Sequence, residues 1–358
     1  MAINKQWLLD QIHQGITIEG ENLVNINLAN TNIGGANFSD CDLSNCNLSH
    51  SQLEQVNFIK CKFDKANLSA SKITDCNFIE CTLNESSLSD LCLVGVNITN
   101  SSLQKSNICN GLLQEANFVE CKLAQANFQQ SNLSFASFMQ CNLASADLSQ
   151  CLLERTNFIE CELLGINLAG SHLQQSIFEK PVIENHDFSN MHLCMTQFRS
   201  ATLNGCNFTK SNLQQTAFVD AELNQCTFDQ ANIGMGLFTG STLAQSSLKN
   251  CFMEPASLQN SNLNGCDFTC SHLLQAQMGS TQCLGTKFNG CELSYSDLSM
   301  AVCQHTDFSN ASLFRANLHG LIDTGSIWSG SNKSMALGTD EKLEKAQRWQ
   351  PTPEAMEL

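Results

Sequence analysis

Apolar side chains recur at every fifth residue of the chain from Ile18 to Leu318. The 61 positions of this register hold 57 Leu, Ile or Phe residues, and no insertion or deletion interrupts the spacing. We call these positions the centre register. Its four exceptions are Met253, Met278, Cys283 and Cys303.

A second register lies two residues before each centre and holds small side chains, such as Ala36, Cys41 and Ser51. Asn or Asp is frequent between the two registers, so the repeated unit is small, Asn/Asp, Leu/Phe, x, x. A helix needs apolar residues at 3.6-residue spacing and a strand needs alternation, so a sustained period of five fits neither. Residues two apart in an extended segment point the same way. The pattern therefore predicts a short extended piece, with its small and centre residues inward, followed by a corner.

The phenylalanines indicate how many sides each coil has. From Phe38, the first four 15-residue steps reach Leu53, Leu68, Leu83 and Ile98, none of which is Phe, whereas 20-residue steps meet Phe at nearly every position up to Phe238, with Ile98 as the interruption. Four pentapeptides per coil, and hence a square cross-section, explain this spacing. Stacked at the sheet spacing of about 4.8 Å, about 15 coils would form a rod of roughly 70 Å.

The pentapeptide pattern over residues 16–320 resembles that of the pentapeptide-repeat protein family. This resemblance implies an all-β fold, a right-handed quadrilateral β-helix. The expected organisation is an N-terminal capping helix over residues 1–15, the solenoid over 16–320, and a C-terminal linker with a short helix and tail over 321–358.

The N-terminal segment is predicted to cover the open end of the first coil. Residues 5–14 can form a short helix after Asn4. Its apolar side chains Trp7, Leu8 and Ile12 are the candidate capping residues, because open sheet ends are usually covered.

At the other end, residues 321–338 are rich in Gly and Ser and are predicted to be a linker. Residues 340–349 look helical, with Thr339 as the N-cap and acidic residues in the first turn. Three roles for this tail stay open: a cap, a contact that forms a homodimer through the terminus, or a free extension.

One coil departs from the pattern. Pro181, His186 and Met191 occupy slots that hold small residues elsewhere. We expect a local widening, bulge or bend over residues 181–200. A packing irregularity and a recognition feature are both compatible with it.

The chain has 20 cysteines, and 14 of them lie in the small register. Cys behaves there as a small hydrophobic residue, so we interpret most thiols as reduced packing residues. Cys92, Cys109, Cys194 and Cys270 should be more exposed. Neither CxxC pairs nor zinc-like spacings occur, so no metal site is predicted. His172 and His192 are 20 residues apart and are interpreted as stacked surface residues.

With 34 acidic and 18 basic residues, the net charge is −16. This charge disfavours direct binding to nucleic acid or to an anionic membrane. The sequence shows neither an apolar run of about 20 residues, as a membrane span requires, nor a signal-peptide pattern. A cytoplasmic location is expected, with export by a dedicated secretion system left open. G-x-S-x-G, P-loop, G-x-G-x-x-G and H-E-x-x-H motifs are absent, so we predict a non-enzyme without cofactors.

The residues directly after the centres should face outward. On the face of the Phe38 ladder, several are apolar and would form a stripe about 25 Å long. We call Ile59, Ile79, Val119, Met139 and Ile159 the apolar stripe. Two interpretations remain: a protein-binding surface, or the ordinary preference of β-branched residues for sheet surfaces.

These features favour a non-enzymatic scaffold for protein–protein interaction. The segments WLLDQIHQGITIEGENLVNINL, SLFRANLHG and ALGTDEKLEKAQRW are similar to parts of pentapeptide-repeat components of bacterial type VI secretion clusters. That similarity implies an accessory or effector-associated role, with secretion or effector proteins as partners.

The alternative function is a DNA mimic that binds DNA gyrase or topoisomerase IV, as in quinolone-resistance or toxin-immunity members of the family. The acidic net charge of −16 agrees in sign. A duplex of about 70 Å, however, carries on the order of 40 charges.

Overall fold

The computed structural model describes residues 4–348. The chain forms two compact units, Met1–Cys206 and Asn207–Leu358, and each is described by itself. In the described residues, no helix combines the length and apolar character needed to cross a bilayer.

In its described residues, 4–206, the first unit contains one helix and one parallel sheet of ten strands, in the order β1 to β10 along the chain. Helix α1 spans Lys5–His13. The strands are β1 Ile18–Glu19, β2 Asn37–Ser39, β3 Asn57–Ile59, β4 Asn77–Ile79, β5 Asn97–Thr99, β6 Asn117–Val119, β7 Ser137–Met139, β8 Asn157–Ile159, β9 Ile177–Glu179 and β10 Gln197–Arg199. Neighbouring strands pair in a 20-residue register, such as Phe38 with Phe58. This register confirms the coil of four pentapeptides.

The second unit pairs its coils through isolated parallel bridges with the same 20-residue offset, such as Asn207 with Thr227. A 3₁₀ turn at Lys333–Met335 and helix α2 at Glu341–Arg348 follow. The chain is thus an all-parallel β-solenoid. The ten-stranded sheet accounts for nine to ten turns. The predicted number of about 15 counted every group of four pentapeptides, whether or not it forms extended strands.

The core consists of the centre register, and the structure buries all 61 of its side chains. The small register packs beside them, so both predicted inward positions are confirmed. Phenylalanines stack from coil to coil, with the rings of Phe118 and Phe138 4.7 Å apart and tilted by 6°. Each buried Leu or Phe contributes about 1.5–3 kcal/mol, largely offset by chain entropy.

Nearly every corner places a residue in the left-handed region. Asn45, for example, has φ 55°. Asn45 is the third residue of a β-turn over residues 43–46, in which Cys46 N–H donates to the Leu43 carbonyl at 3.1 Å. Turns of this kind require positive φ at the third residue, which costs energy for most side chains. The cost is offset because the backbone N–H of the corner residue donates to a carbonyl of the next coil, as Asn45 N–H does to the Asp64 carbonyl at 3.0 Å.

Pairing between coils is interrupted at residues 181–195, inside the range 181–200 for which the sequence predicted a widening, bulge or bend. Within the described part of the first unit, none of the expected bridges joins 162 to 182, 167 to 187 or 172 to 192, although the coils below carry all three. On the fourth side, Ile177 still pairs with Gln197. A cleft lined by Gly170, His172, Asn190 and His192 lies at this level.

The side chains in the small slots explain why only one side stays paired. Pro181, His186 and Met191 occupy the slots of the three opened sides. The fourth slot holds Thr196, whose Oγ1 donates to the Leu173 carbonyl at 2.7 Å. Large side chains in a close-packed layer push the next layer away.

The C-terminal segment differs from its prediction in two respects. Residues 321–338 are not a plain linker, because Ile322, Ile327 and Leu337 form parallel bridges. The N-cap of α2 is Asp340 rather than Thr339, since Asp340 Oδ1 accepts from Lys342 N–H at 2.8 Å and Leu343 N–H at 3.1 Å. The tail beyond residue 348 lies outside the described residues.

Candidate functional site

The apolar stripe forms a continuous column on the sheet of the first unit. The register places Ile59 beside Ile79, Val119 beside Met139 and Met139 beside Ile159, with Thr99 between the two halves. Beyond Ile159 the column continues with Glu179. The strands hold these side chains outward because the alternate residues, the Phe centres, fill the core.

A ladder of asparagine amides runs along one side of the stripe. Asn57 Nδ2 donates to Asn37 Oδ1 at 2.8 Å, and Asn77 Nδ2 donates to Asn57 Oδ1 at 2.7 Å. The ladder continues through Asn97 to Asn117 at 3.2 and 3.1 Å. These bonds hold the amides in fixed orientations, so the border of the stripe is ordered and polar.

Charged corner residues border the other side. Lys60 Nζ lies 3.9 Å from Glu80 Oε2. Gln140 Nε2 donates to Glu160 Oε2 at 2.7 Å, and Glu120 lies between these two pairs. Exposed ion pairs of this kind contribute little to stability. With Glu120 and Glu160, this border is net acidic toward the Ile159 end of the stripe.

Accessibility along the stripe is uneven. Ile59 and Met139 are 40% exposed, while Ile79, Val119 and Ile159 are half-buried. The surface is flat, apolar and partly accessible, with ordered polar borders. Such a surface suits contact with another protein rather than enclosure of a small molecule.

The three candidate capping residues occupy different environments. Leu8 is fully buried, Ile12 is half-buried and Trp7 is 38% exposed. The helix that carries them is capped by Asn4, whose Oδ1 accepts from Trp7 N–H at 2.8 Å. Leu8 is thus the apolar anchor of α1, while Trp7 leaves part of its ring on the surface.

The thiols of the small register are buried, and Cys161 is the half-buried exception. Burial raises the pKa of the Cys46 and Cys151 thiols to about 12. Such thiols are protonated at neutral pH and poorly nucleophilic. Cys92, Cys109 and Cys194 are half-buried and Cys270 is exposed, as predicted.

The paired histidines do not form part of a larger ligand cluster. The rings of His172 and His192 lie 6.4 Å apart. Across the described chain, no group of three or more His, Cys, Asp or Glu side chains is arranged to hold a metal ion.

Sequence reasoning missed a groove in the second unit, lined by Met235, Leu237, Pro255 and Tyr295. The sequence signal that could have revealed this groove is the presence of large apolar residues at one corner position. Met235, Pro255 and Tyr295 lie at multiples of 20 residues from one another, in one column of corners where smaller or polar residues are usual. Leu152 and Phe252 are exposed apolar side chains on bridge positions elsewhere.

The fold and this face together define a scaffold made of stacked pentapeptide coils. A family model described as a pentapeptide repeat region matches residues 31–108, 112–188 and 131–208. A second, described as pentapeptide repeats (8 copies), matches residues 185–233, 237–273 and 291–321. The matches together span well over half of the chain. The chain therefore belongs to the pentapeptide-repeat family.

Solved structures of the same kind are similar to this chain. HetL, a pentapeptide repeat protein involved in heterocyst differentiation regulation from Nostoc sp. strain PCC 7120, is 21% identical, with 94% of this chain and 98% of that chain covered and a TM-score of 0.18. Full-length QnrB1, a plasmid-mediated fluoroquinolone resistance protein, is 16% identical, with 58% and 93% covered and a TM-score of 0.29. Rfr23 from the cyanobacterium Cyanothece 51142 is 20% identical, with 46% and 95% covered and a TM-score of 0.13. No curated protein sequence matches. Similarities this low carry no argument about function.

Proposed function

We propose that this protein is a non-enzymatic scaffold for protein–protein interaction, and that the apolar stripe is a docking surface. The observation that carries the proposal is the uninterrupted pairing of the stripe from Ile59 to Ile159. Rigid sheet residues present an apolar strip between two ordered polar borders, so a partner loses little of its binding free energy to ordering this surface.

The partner class follows from the sequence resemblance to components of type VI secretion clusters. On that basis the partner is a secretion or effector protein, and this chain is an accessory or effector-associated protein. The support consists of the terminal segments that carry the resemblance, such as WLLDQIHQGITIEG at residues 7–20.

Affinity capture with the full chain, followed by mass spectrometry, tests the proposal. The double variant Ile79→Lys/Ile159→Lys places two charges in the stripe and should remove the captured partner. Gln104→Lys is the matched control, because Gln104 is an exposed polar residue outside the strands. Circular dichroism must show that all variants remain folded. Equal capture by the folded double variant and the wild type would make the stripe an ordinary sheet surface.

The alternative, a DNA mimic that binds type II topoisomerases, predicts a different captured protein. Gyrase or topoisomerase IV among the captured proteins would support it. A supercoiling assay provides the functional readout, because a mimic should inhibit or protect gyrase at micromolar concentration. Absence of any effect on supercoiling would exclude this alternative.

A further inference from the structure

Pro255 interrupts a regular column of corners in the second unit. The equivalent residues of the neighbouring coils, Met235, Gln275 and Tyr295, have φ of 59°, 58° and 58°. Proline is restricted to φ near −65° and has no N–H. Pro255 accordingly lacks the positive φ of its neighbours, although its turn still closes through Ala256 N–H and the Met253 carbonyl at 2.8 Å.

The interruption breaks the hydrogen bonds between coils at this corner. Elsewhere in the column the corner amide donates to the next coil, as Gln275 does to Ser294 at 3.1 Å and Tyr295 to Phe314 at 2.9 Å. Pro255 cannot donate to the Leu274 carbonyl, and no backbone bond joins Met235 N–H to Glu254 within residues 207–348. Among residues 207–348, one backbone donor, Met235 N–H, and two backbone acceptors, the Glu254 and Leu274 carbonyls, are therefore left without a backbone partner.

A groove lies at the same place, and its lining is mainly apolar. Met235, Leu237, Pro255 and Tyr295 line it, together with the side chains of Gln275 and Gln277. Met235 is 54% exposed, Tyr295 47% and Leu237 42%. Phe314 extends the apolar surface, since its ring packs edge-on against Tyr295 with centroids 5.6 Å apart. Apolar walls with a few fixed polar groups are typical of binding sites.

The border of the groove is acidic. Glu254 directly precedes Pro255, with its Oε1 3.9 Å from His272 Nδ1, and Asp297 bridges to Gln277 of the lining. The opposing cation is Arg315, which lies over the Tyr295 ring at 6.0 Å. Two carboxylates against one guanidinium favour an occupant with positive charge at its ends.

We propose that this groove binds an extended segment of a partner protein, in which an apolar side chain is flanked by Lys or Arg. The apolar side chain packs between Leu237, Pro255 and Tyr295. The peptide groups of the segment bond to Met235 N–H and the Leu274 carbonyl, and its basic residues lie near Glu254 and Asp297. This site is separate from the apolar stripe and does not depend on the proposed function of the stripe.

Selection from a phage-displayed library of random peptides, with the full chain as the target, tests the proposal. The selected peptides should share an apolar residue with Lys or Arg on either side, and their binding should weaken as salt is added.

Two groove variants and one control identify the site. Pro255→Asn restores the backbone N–H and introduces a residue that tolerates positive φ, as Asn250 and Asn260 do at nearby corners. Leu237→Ser removes an apolar wall. Each should weaken the selected peptides about tenfold or more. Leu284→Ser is the control, because Leu284 is 48% exposed but does not line the groove.

Three results would overturn the proposal: no enriched peptides, enriched peptides without the apolar and basic pattern, or equal binding by both folded groove variants. The stripe variant Ile79→Lys/Ile159→Lys should bind the peptides normally. The stripe variant thus tests capture of the partner and the groove variants test binding of the peptides, so either proposal can fail without the other.

Discussion

Ser101 Oγ accepts a hydrogen bond from Cys81 N–H at 2.9 Å, so a serine and a cysteine occupy consecutive levels of one inward column. Their side chains make equivalent bonds. Cys81 Sγ donates to the Phe58 and Ile79 carbonyls at 3.4 Å, and Ser101 Oγ contacts the Phe78 and Thr99 carbonyls at 3.3 and 2.9 Å. The slot thus selects for size and for a donor rather than for thiol chemistry.

This equivalence predicts that Cys81→Ser changes the free energy of unfolding by less than about 1 kcal/mol, because the replacement keeps the donor. Cys81→Leu should destabilise the protein by about 1–3 kcal/mol, because the layer has no space for two more heavy atoms. Urea unfolding of both variants measures the difference. A larger loss for Ser than for Leu would show that the thiol itself is required.

The opened coil predicts a local difference in hydrogen exchange. The amides of Leu163, Gly165, Leu168, Gly170 and Leu173 occupy positions that donate to the next coil elsewhere, and none of them has a backbone acceptor among the described residues. The amides one coil below all bond upward, for example Leu148 to Asn167 at 2.8 Å. The matched set is Leu143, Ser145, Leu148, Gln150 and Leu153. We expect the first set to exchange faster than the second, since unpaired amides are not protected. Equal protection of both sets would mean that the gap is closed in solution.

The three large side chains in the small slots should be the cause of the opening. The triple variant Pro181→Ala/His186→Ala/Met191→Ala should allow the missing bridges to form. Restored bonds contribute about 0.5–1.5 kcal/mol each, so the exchange of Leu168 and Gly170 should slow. Ala126→Met places a large residue in a slot that is fully buried and regularly paired. Ala126→Met should therefore create a new region of fast amide exchange. If neither variant changes the exchange rates, the size of the side chain in the small slot is not the cause of the lost pairing.

His186 should make the first unit sensitive to acid. Burial lowers the pKa of its imidazole below 6.5, and the nearby Asp187 opposes this effect only in part. The ring packs against Phe188 at 4.4 Å, and its Nε2 lacks a hydrogen-bond partner among the described residues. The other titratable neighbour is Cys206, held protonated by burial, which raises its pKa to about 12.

The sign of the effect follows from proton binding. Below pH 6.5 the unfolded histidine binds its proton before the folded one does, so stability falls as the pH decreases toward the depressed pKa. His186→Ala should remove this part of the acid dependence, which thermal unfolding of both proteins over a pH series measures. Parallel pH profiles for the two proteins would contradict the prediction.

The sequence by itself determined the coil. A period of five, with a small and a large apolar residue two apart, leaves no other inward arrangement, and the 20-residue phenylalanine spacing sets four sides. These features are local or strictly periodic, so each repeat reports on the same backbone geometry. The exposure of Cys270 and the helix around Leu8 were predictable for the same reason.

Only the tertiary structure decided where stacking succeeds. Pairing depends on the fit between two layers 20 residues apart, which no single pentapeptide contains. The sequence therefore indicated a widening, bulge or bend near Met191 but not the three lost bridges, and it did not reveal the groove beside Pro255. It also placed the helix cap at Thr339, whereas in the structure Asp340 caps α2 while Thr339 Oγ1 accepts from Gly320 N–H at 3.2 Å. The side chain that caps α2 is therefore decided by the last coil, because Thr339 Oγ1 is bonded to Gly320 and Asp340 is left to accept from the helix.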